Sequence, residues 1–248
     1  MNTMKNGLAQ SSPALKARLA GIFYLLNVIT YGYSYGTVRD KILAVGNAAV
    51  TAHNILANEI ILRLCFASEI VAGVCYIAVT LLLYGLLKPV NKSLSMLAAF
   101  FSLVGCAVVA IGSLFIYAPL LVLGGEEYLK VFKVVQLQAL ALLSLNLHIV
   151  AADICMVFFG CYCIVIGYLI IRSTFMPRII GVFMVIAGAG YLTFLSPPLA
   201  QYLFSYVLTP AGALGEFSLM LWLLVFGVNS QRWRKQAGAA LEELSPGS

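Results

Sequence analysis

Charge is scarce in this sequence. Asp, Glu, Lys and Arg make up only 10% of its 248 residues, against 62% hydrophobic residues, and the mean hydropathy is +0.99. A soluble globule of this length could not cover its surface with so few polar groups. Histidine is scarcer still, with only His53 and His148. No HExxH pair, serine elbow, P-loop, dinucleotide fingerprint or haem motif is present, so the common signatures of metal hydrolysis, acyl transfer and nucleotide chemistry are missing. The six cysteines all fall inside apolar runs, and Cys161 and Cys163 lack a second ligand pair. They read as small buried side chains rather than a disulfide frame or a zinc site. Short alternating segments, which a membrane barrel would need, do not occur.

What the chain does have is long apolar runs. Six candidates stand out: Leu19 to Tyr35, Ile61 to Leu87, Leu94 to Leu123, Ile149 to Ile171, Ile179 to Leu195, and Ala211 to Val228. A helix of roughly 17 to 25 apolar residues crosses about 30 Å of hydrocarbon, so these runs predict an all-α, polytopic membrane helical bundle with six transmembrane helices. The domain reading follows: a cytoplasmic N-terminal segment over 1–18, a six-helix membrane domain over 19–229 and a cytoplasmic polar tail over 230–248, expected to be mobile after Lys235.

The net charge of +6 does not point to nucleic acid, because the basic residues flank the ends of apolar runs. Lys5, Lys16, Arg18, Lys88, Lys92, Arg172, Arg178, Arg232, Arg234 and Lys235 fall on one side, and Arg39, Lys41, Arg63, Lys130 and Lys133 on the other. The positive-inside bias places both termini in the cytoplasm. Between Arg172 and Arg178, Pro177 cannot continue a helix, which predicts a tight cytoplasmic turn. "TVRD" from Thr37 has the spacing of a capping box, and Glu126 and Glu127 suit a helix N-terminus. The outer segments 37–59 and 124–148 are therefore read as short interfacial helices, or the second as an outward extension of span four. Gly105 and Gly112, Gly160 and Gly167, and Gly181 and Gly188 recur at seven-residue spacing, which predicts close helix packing. A gapless match of the first span with the fifth, Gly21 on Gly181 and Phe23 on Phe183, suggests a repeat of three helical hairpins.

Acids inside a bilayer cost several kcal/mol, by order of magnitude, unless paired, protonated or hydrated. Glu69, Asp153 and Glu216 all fall near the outer ends of their spans, with Arg63 and His148 at similar depth and His53 and Glu59 in the first outer loop. Three readings follow. The groups fix helix register in a structural scaffold or partner-binding membrane protein, with Glu59 and Arg63 paired at i, i+4. Alternatively Arg63, Glu69, His148, Asp153 and Glu216 bind a small molecule, ion, proton or lipid headgroup in an outward-facing cluster. The third reading has His148 and an acid hold a catalytic metal. His148 and Asp153, five residues apart, lie about 140° apart around a helix, which weakens the last reading.

The segments "QLQALALLSLNLH", "FFGCYCIVIGYLIIRSTFMPRIIGVFMVIAGAGYL" and "GEFSLMLWLLVFGVN", with "ARLAGIFYLL" and "KPVN", resemble a bacterial integral-membrane family known as domain of unknown function 4386. The resemblance spans about Ala17 to Asn229 and is most specific from Gly167 to Leu192. It implies a multi-span protein of the bacterial cytoplasmic membrane and carries no established reaction, cofactor or ligand. His148 and Glu216 fall where the family's pattern has a similar residue, whereas Tyr162 stands where that pattern has a further histidine. Membrane lipids are the expected surroundings. The metal, any cofactor and any protein partner stay unassigned.

Overall fold

The computed structural model describes residues 12–203 and 212–243. Helices account for nearly all of them, and no strand occurs among the described residues. Helix α1 runs over Pro13–Thr37 and widens into a π-helical turn at Val38–Ile42. Then come α2 (Ala48–Ala57), α3 (Glu59–Leu87), α4 (Lys92–Leu123) and α5 (Val134–Arg172). The C-terminal part holds α6 (Arg178–Tyr191, extended to Leu195 as a 3-10 turn), α7 (Pro197–Leu203), α8 (Ser218–Val225, entered through a π turn at Ala213–Phe217) and α9 (Ser230–Glu243).

Among the described residues four helices are long and apolar enough to cross a membrane: α3, α4, α5 and Arg178–Leu195. Six runs suggest themselves from the sequence. The difference arises at the two ends of the chain. Helix α1 has 25 residues, but Asn27, Thr30, Ser34 and the tyrosines at 31, 33 and 35 dilute its second half. Leu214–Val225 forms a shorter apolar helix, and the start of that run, at Ala211, lies outside the described residues, as do 1–11 and 244–248.

Helix α5 has 39 residues, about 58 Å at 1.5 Å per residue, far more than the hydrocarbon needs. The second outer segment is thus largely an extension of the fourth apolar run. Its start is not marked by Glu126 and Glu127, which sit in and beside a separate 3-10 turn. Instead Lys133 N–H donates to Gln136 Oε1 at 2.8 Å, the side-chain half of a capping box. Thr37 likewise caps nothing: it has helical φ and ψ, and the chain winds on through it. The cap in that segment is Asn47, whose side chain accepts from Val50 N–H at 3.0 Å and starts α2. The polar tail is helical over Ser230–Glu243.

Two compact units divide the chain. One comprises Leu26–Tyr76 and Gly105–Cys155. Its apolar core gathers Ile42, Ile55, Leu62, Ile116, Leu120 and Leu145, so the π turn, α2, α3, α4 and α5 all contribute. The other comprises Met1–Leu25, Ile77–Val104 and Met156–Ser248. Within it α5 and α6 pack as antiparallel helices along their glycines, Gly160 against Gly188 and Gly167 against Gly181. The turn between them sits at Ser173–Pro177 as the sequence predicts, with Pro177 extended immediately before α6. Helix α9 is tied to this unit. Thr174 donates through N–H and Oγ1 to Gln236 Oε1, and Trp233 Nε1 donates to the Leu86 carbonyl at the end of α3.

Candidate functional site

The first unit contains a buried carboxylate. Glu69, on α3, is 1% exposed, and Ser34, Ser113 and His148 around it are 0%, 0% and 4% exposed. Ser34 Oγ, from α1, donates to Glu69 Oε1 at 3.1 Å. Ser113 Oγ, from α4, donates to Oε2 at 2.8 Å. From α5, His148 Nε2 lies 3.3 Å from Oε1. That approach is off the line of a hydrogen bond, so it is a close electrostatic contact. Its other nitrogen, Nδ1, lies 3.3 Å from the Gly112 carbonyl. Four helices therefore converge on one side chain.

Local sequence makes this convergence possible. Gly112 has no side chain where α5 comes close: a Cβ there would fall 2.9 Å from Ala151 Cβ. The same residue exposes its carbonyl to the imidazole, and its neighbour Ser113 faces Glu69. In a bilayer an isolated carboxylate is costly, and hydrogen bonds together with a protonatable partner offset that cost.

Hydrogen counting restricts the protonation states. A carbonyl only accepts, so Nδ1 of His148 carries a hydrogen. If Nε2 had none and Glu69 were ionised, two lone-pair atoms would face each other in a buried site. One proton, on Nε2 or on the carboxyl group, removes this conflict and leaves the pair neutral overall. Ser113 adds a second constraint. Its single hydroxyl hydrogen has two acceptors, Glu69 Oε2 at 2.8 Å and the Val109 carbonyl at 2.9 Å.

The other sequence candidates go to different places. Arg63 lies on the half-exposed surface of α3, 3.9 Å from Glu59 and donating to Tyr117 Oη at 3.0 Å. The i, i+4 pair is thus present, and the guanidinium stands 5.6 Å from the Tyr117 ring centre. No contact joins Arg63 to Glu69. Asp153 is half-buried and makes no hydrogen bond or ion pair among the described residues, although Tyr31 is in the electrostatic neighbourhood of both Asp153 and Glu69. Glu216 belongs to the second unit, where Cys163 Sγ approaches its Oε1 at 3.8 Å, a weak thiol contact. His53 is exposed on α2. Among the described residues no three His, Cys, Asp or Glu side chains gather as metal ligands.

Ser34 and Ser113 are not singled out by sequence reasoning, and Gly112 is read from the sequence only as a packing glycine. Ser34 hides in the tyrosine-rich end of α1, and Ser113 follows a glycine that reads as packing. A serine in an apolar run is a weak signal, because it satisfies itself against its own helix as readily as against a neighbour.

The family described as Domain of unknown function (DUF4386) matches residues 19–227. An "Uncharacterized protein" of Archaeoglobus fulgidus is 25% identical over 151 residues, 61% of this chain and 76% of the archaeal one. No solved structure matches.

Proposed function

The chain belongs to the family described as a domain of unknown function, DUF4386, and from that premise we propose that it is a six-span membrane protein that binds a proton at the Glu69–His148 pair. The observation that carries this reading is the closure of the pair. Glu69 is 1% exposed, with protein groups on both oxygens. A hydrated ion or a metabolite would have to displace those groups, whereas a proton needs no room. The count of hydrogens at the pair supports one proton there.

Arrival of a further proton rewires the site. With Glu69 ionised, the Ser113 hydrogen goes to Oε2. With Oε2 protonated, the carboxyl donates to Ser113 Oγ, and the serine hydrogen turns to the Val109 carbonyl. Proton occupancy is thereby coupled to the hydrogen bonding of α4. In the six-span arrangement α1 and the run ending in α8 complete the bundle, both termini lie in the cytoplasm of a bacterium, and the Glu69 half of α3 faces outward. The excess of basic residues at the ends of the runs supports this. A chain of three hairpins is compatible with that count, and Asp153 and Glu216 are the further acids a proton could visit.

A second reading, that the pair only locks helix register, is favoured by the same burial. The two readings separate in infrared difference spectra of the protein in lipid between about pH 5 and pH 8. A carboxyl band that appears on acidification, vanishes in Glu69→Gln and survives in Glu216→Gln is expected. A spectrum unchanged by Glu69→Gln would leave the structural lock standing and remove the proton site.

A further inference from the structure

The second unit contains an open cleft of about 460 Å³ between the α5–α6 turn and the junction of α8 and α9. Its lining is largely apolar, with Phe175, Met176, Pro177, Trp222 and Phe226. Trp222 and Phe226 stack at 4.5 Å, and Phe226 is 65% exposed. Asn229 and Arg232, at the start of α9, are among its polar lining residues.

Arg232 and Trp222 bring hydrogen-bond donors to this lining. Arg232 Nη1 has the Thr174 carbonyl at 3.5 Å, a long bond, and no carboxylate within ion-pair distance among the described residues. Trp222 Nε1 is a buried donor that meets no acceptor among the described residues. Acceptors nearby are already used: Asn229 Oδ1 takes the Arg232 N–H and Gln236 Oε1 takes Thr174. Gly227, at φ +68°, ends α8 and turns the chain so that α9 begins beside the cleft. A buried indole N–H without a partner is costly, and the exposed Arg232 guanidinium has no carboxylate among the described residues to compete with an incoming anion.

We propose that this cleft binds the phosphate of an anionic phospholipid, Arg232 and Trp222 Nε1 donating to its oxygens while Trp222, Phe226 and Met176 cover the glycerol and upper acyl carbons. The occupant must be acceptor-rich, negatively charged and apolar at one end, and an anionic phospholipid meets all three conditions. The exposed neighbours Arg234 and Lys235 on α9 add charge of the same sign. This site is independent of the Glu69–His148 pair.

The test uses the full chain in mild detergent, titrated with phosphatidylglycerol, with phosphatidylcholine of the same acyl chains, and with inorganic phosphate. Tryptophan fluorescence is the readout, since the chain has two tryptophans and Trp222→Phe identifies the one in the cleft. Phosphatidylglycerol should act at about tenfold lower concentration than phosphatidylcholine. Arg232→Gln should abolish that preference, while Arg234→Gln, outside the cleft, should keep most of it. Equal response to the two lipids, an unchanged preference in Arg232→Gln, or equal losses in both arginine variants would each overturn the assignment. A full response to inorganic phosphate alone would assign the cleft to a free anion and overturn the lipid.

Discussion

Gly167 of α5 and Gly181 of α6 stand backbone to backbone. A Cβ on Gly167 would fall 2.6 Å from the Gly181 carbonyl oxygen, and a Cβ on Gly181 would fall 2.5 Å from that of Gly167. One turn of the pattern further, Gly160 and Gly188 repeat the relation at 3.0 and 2.6 Å. The obstacle in each case is backbone, which cannot swing aside as a side chain could. The two helices are held at a separation that only glycine permits.

Gly167→Ala should therefore lower stability by about 1–3 kcal/mol, the range for forced overpacking. Gly85→Ala is the control, because a Cβ there meets nothing within 4 Å. Thermal unfolding of both variants in one detergent checks the contrast, and equal midpoints would show that α5 and α6 are not so closely packed.

The seven-residue glycine spacing was legible because it is local: the repeat puts both glycines on one face whatever that face meets. The Ser173–Pro177 turn was legible for a similar reason, since Pro177 breaks a helix without reference to any neighbour. The capping reading of Thr37 fails because a box motif competes with continued winding, and here buried Val38 and Ile42 favour the π turn. Glu69 and His148 could be picked out as costly groups in a bilayer. Their pairing could not, because residues 79 positions apart meet only once α3 and α5 are side by side. Arg63 looked equally suitable by depth, yet six residues from Glu69 is about 120° around the helix, on another face.

Removing one member of the buried pair should cost more than removing both. Glu69→Leu leaves His148 without its carboxylate, and His148→Leu leaves a buried acid with serines alone. Losing one partner of such a pair typically costs about 3–5 kcal/mol, whereas an apolar replacement of both is often near neutral. The double variant should be more stable than the sum of the singles by at least about 1 kcal/mol. Additive losses in a denaturation cycle would mean that the 3.3 Å contact carries no coupling.

Arg63 should behave as a surface residue. Its side chain and that of Glu59 are 50% and 48% exposed, so Glu59→Gln should change stability by less than about 1 kcal/mol. Tyr117→Phe, which removes a hydroxyl acceptor and keeps the ring, should be similarly mild. Neither should alter the infrared signature of Glu69. A large effect of Arg63→Gln on that band would place the guanidinium in the same electrostatic network after all.

Trp233 anchors α9 from the other direction. The helix carries Arg232, Arg234 and Lys235 exposed beside one half-buried indole, and past Trp233 its half-buried stripe continues with the small residues Ala237 and Ala240. Its docking rests on the bond from Trp233 Nε1 to the Leu86 carbonyl at 2.8 Å and on Gln236 accepting from Thr174. Trp233→Phe keeps the aromatic bulk and loses one donor, worth about 1 kcal/mol, and leaves the Leu86 carbonyl at the end of α3 without it. Hydrogen exchange over residues 230–243 should then accelerate severalfold, together with the Thr174 amide, while the amides around Gly167 stay protected. If exchange in α9 is unchanged in Trp233→Phe and rises instead in Gln236→Ala, the glutamine is the clasp and the indole is only packed against the end of α3.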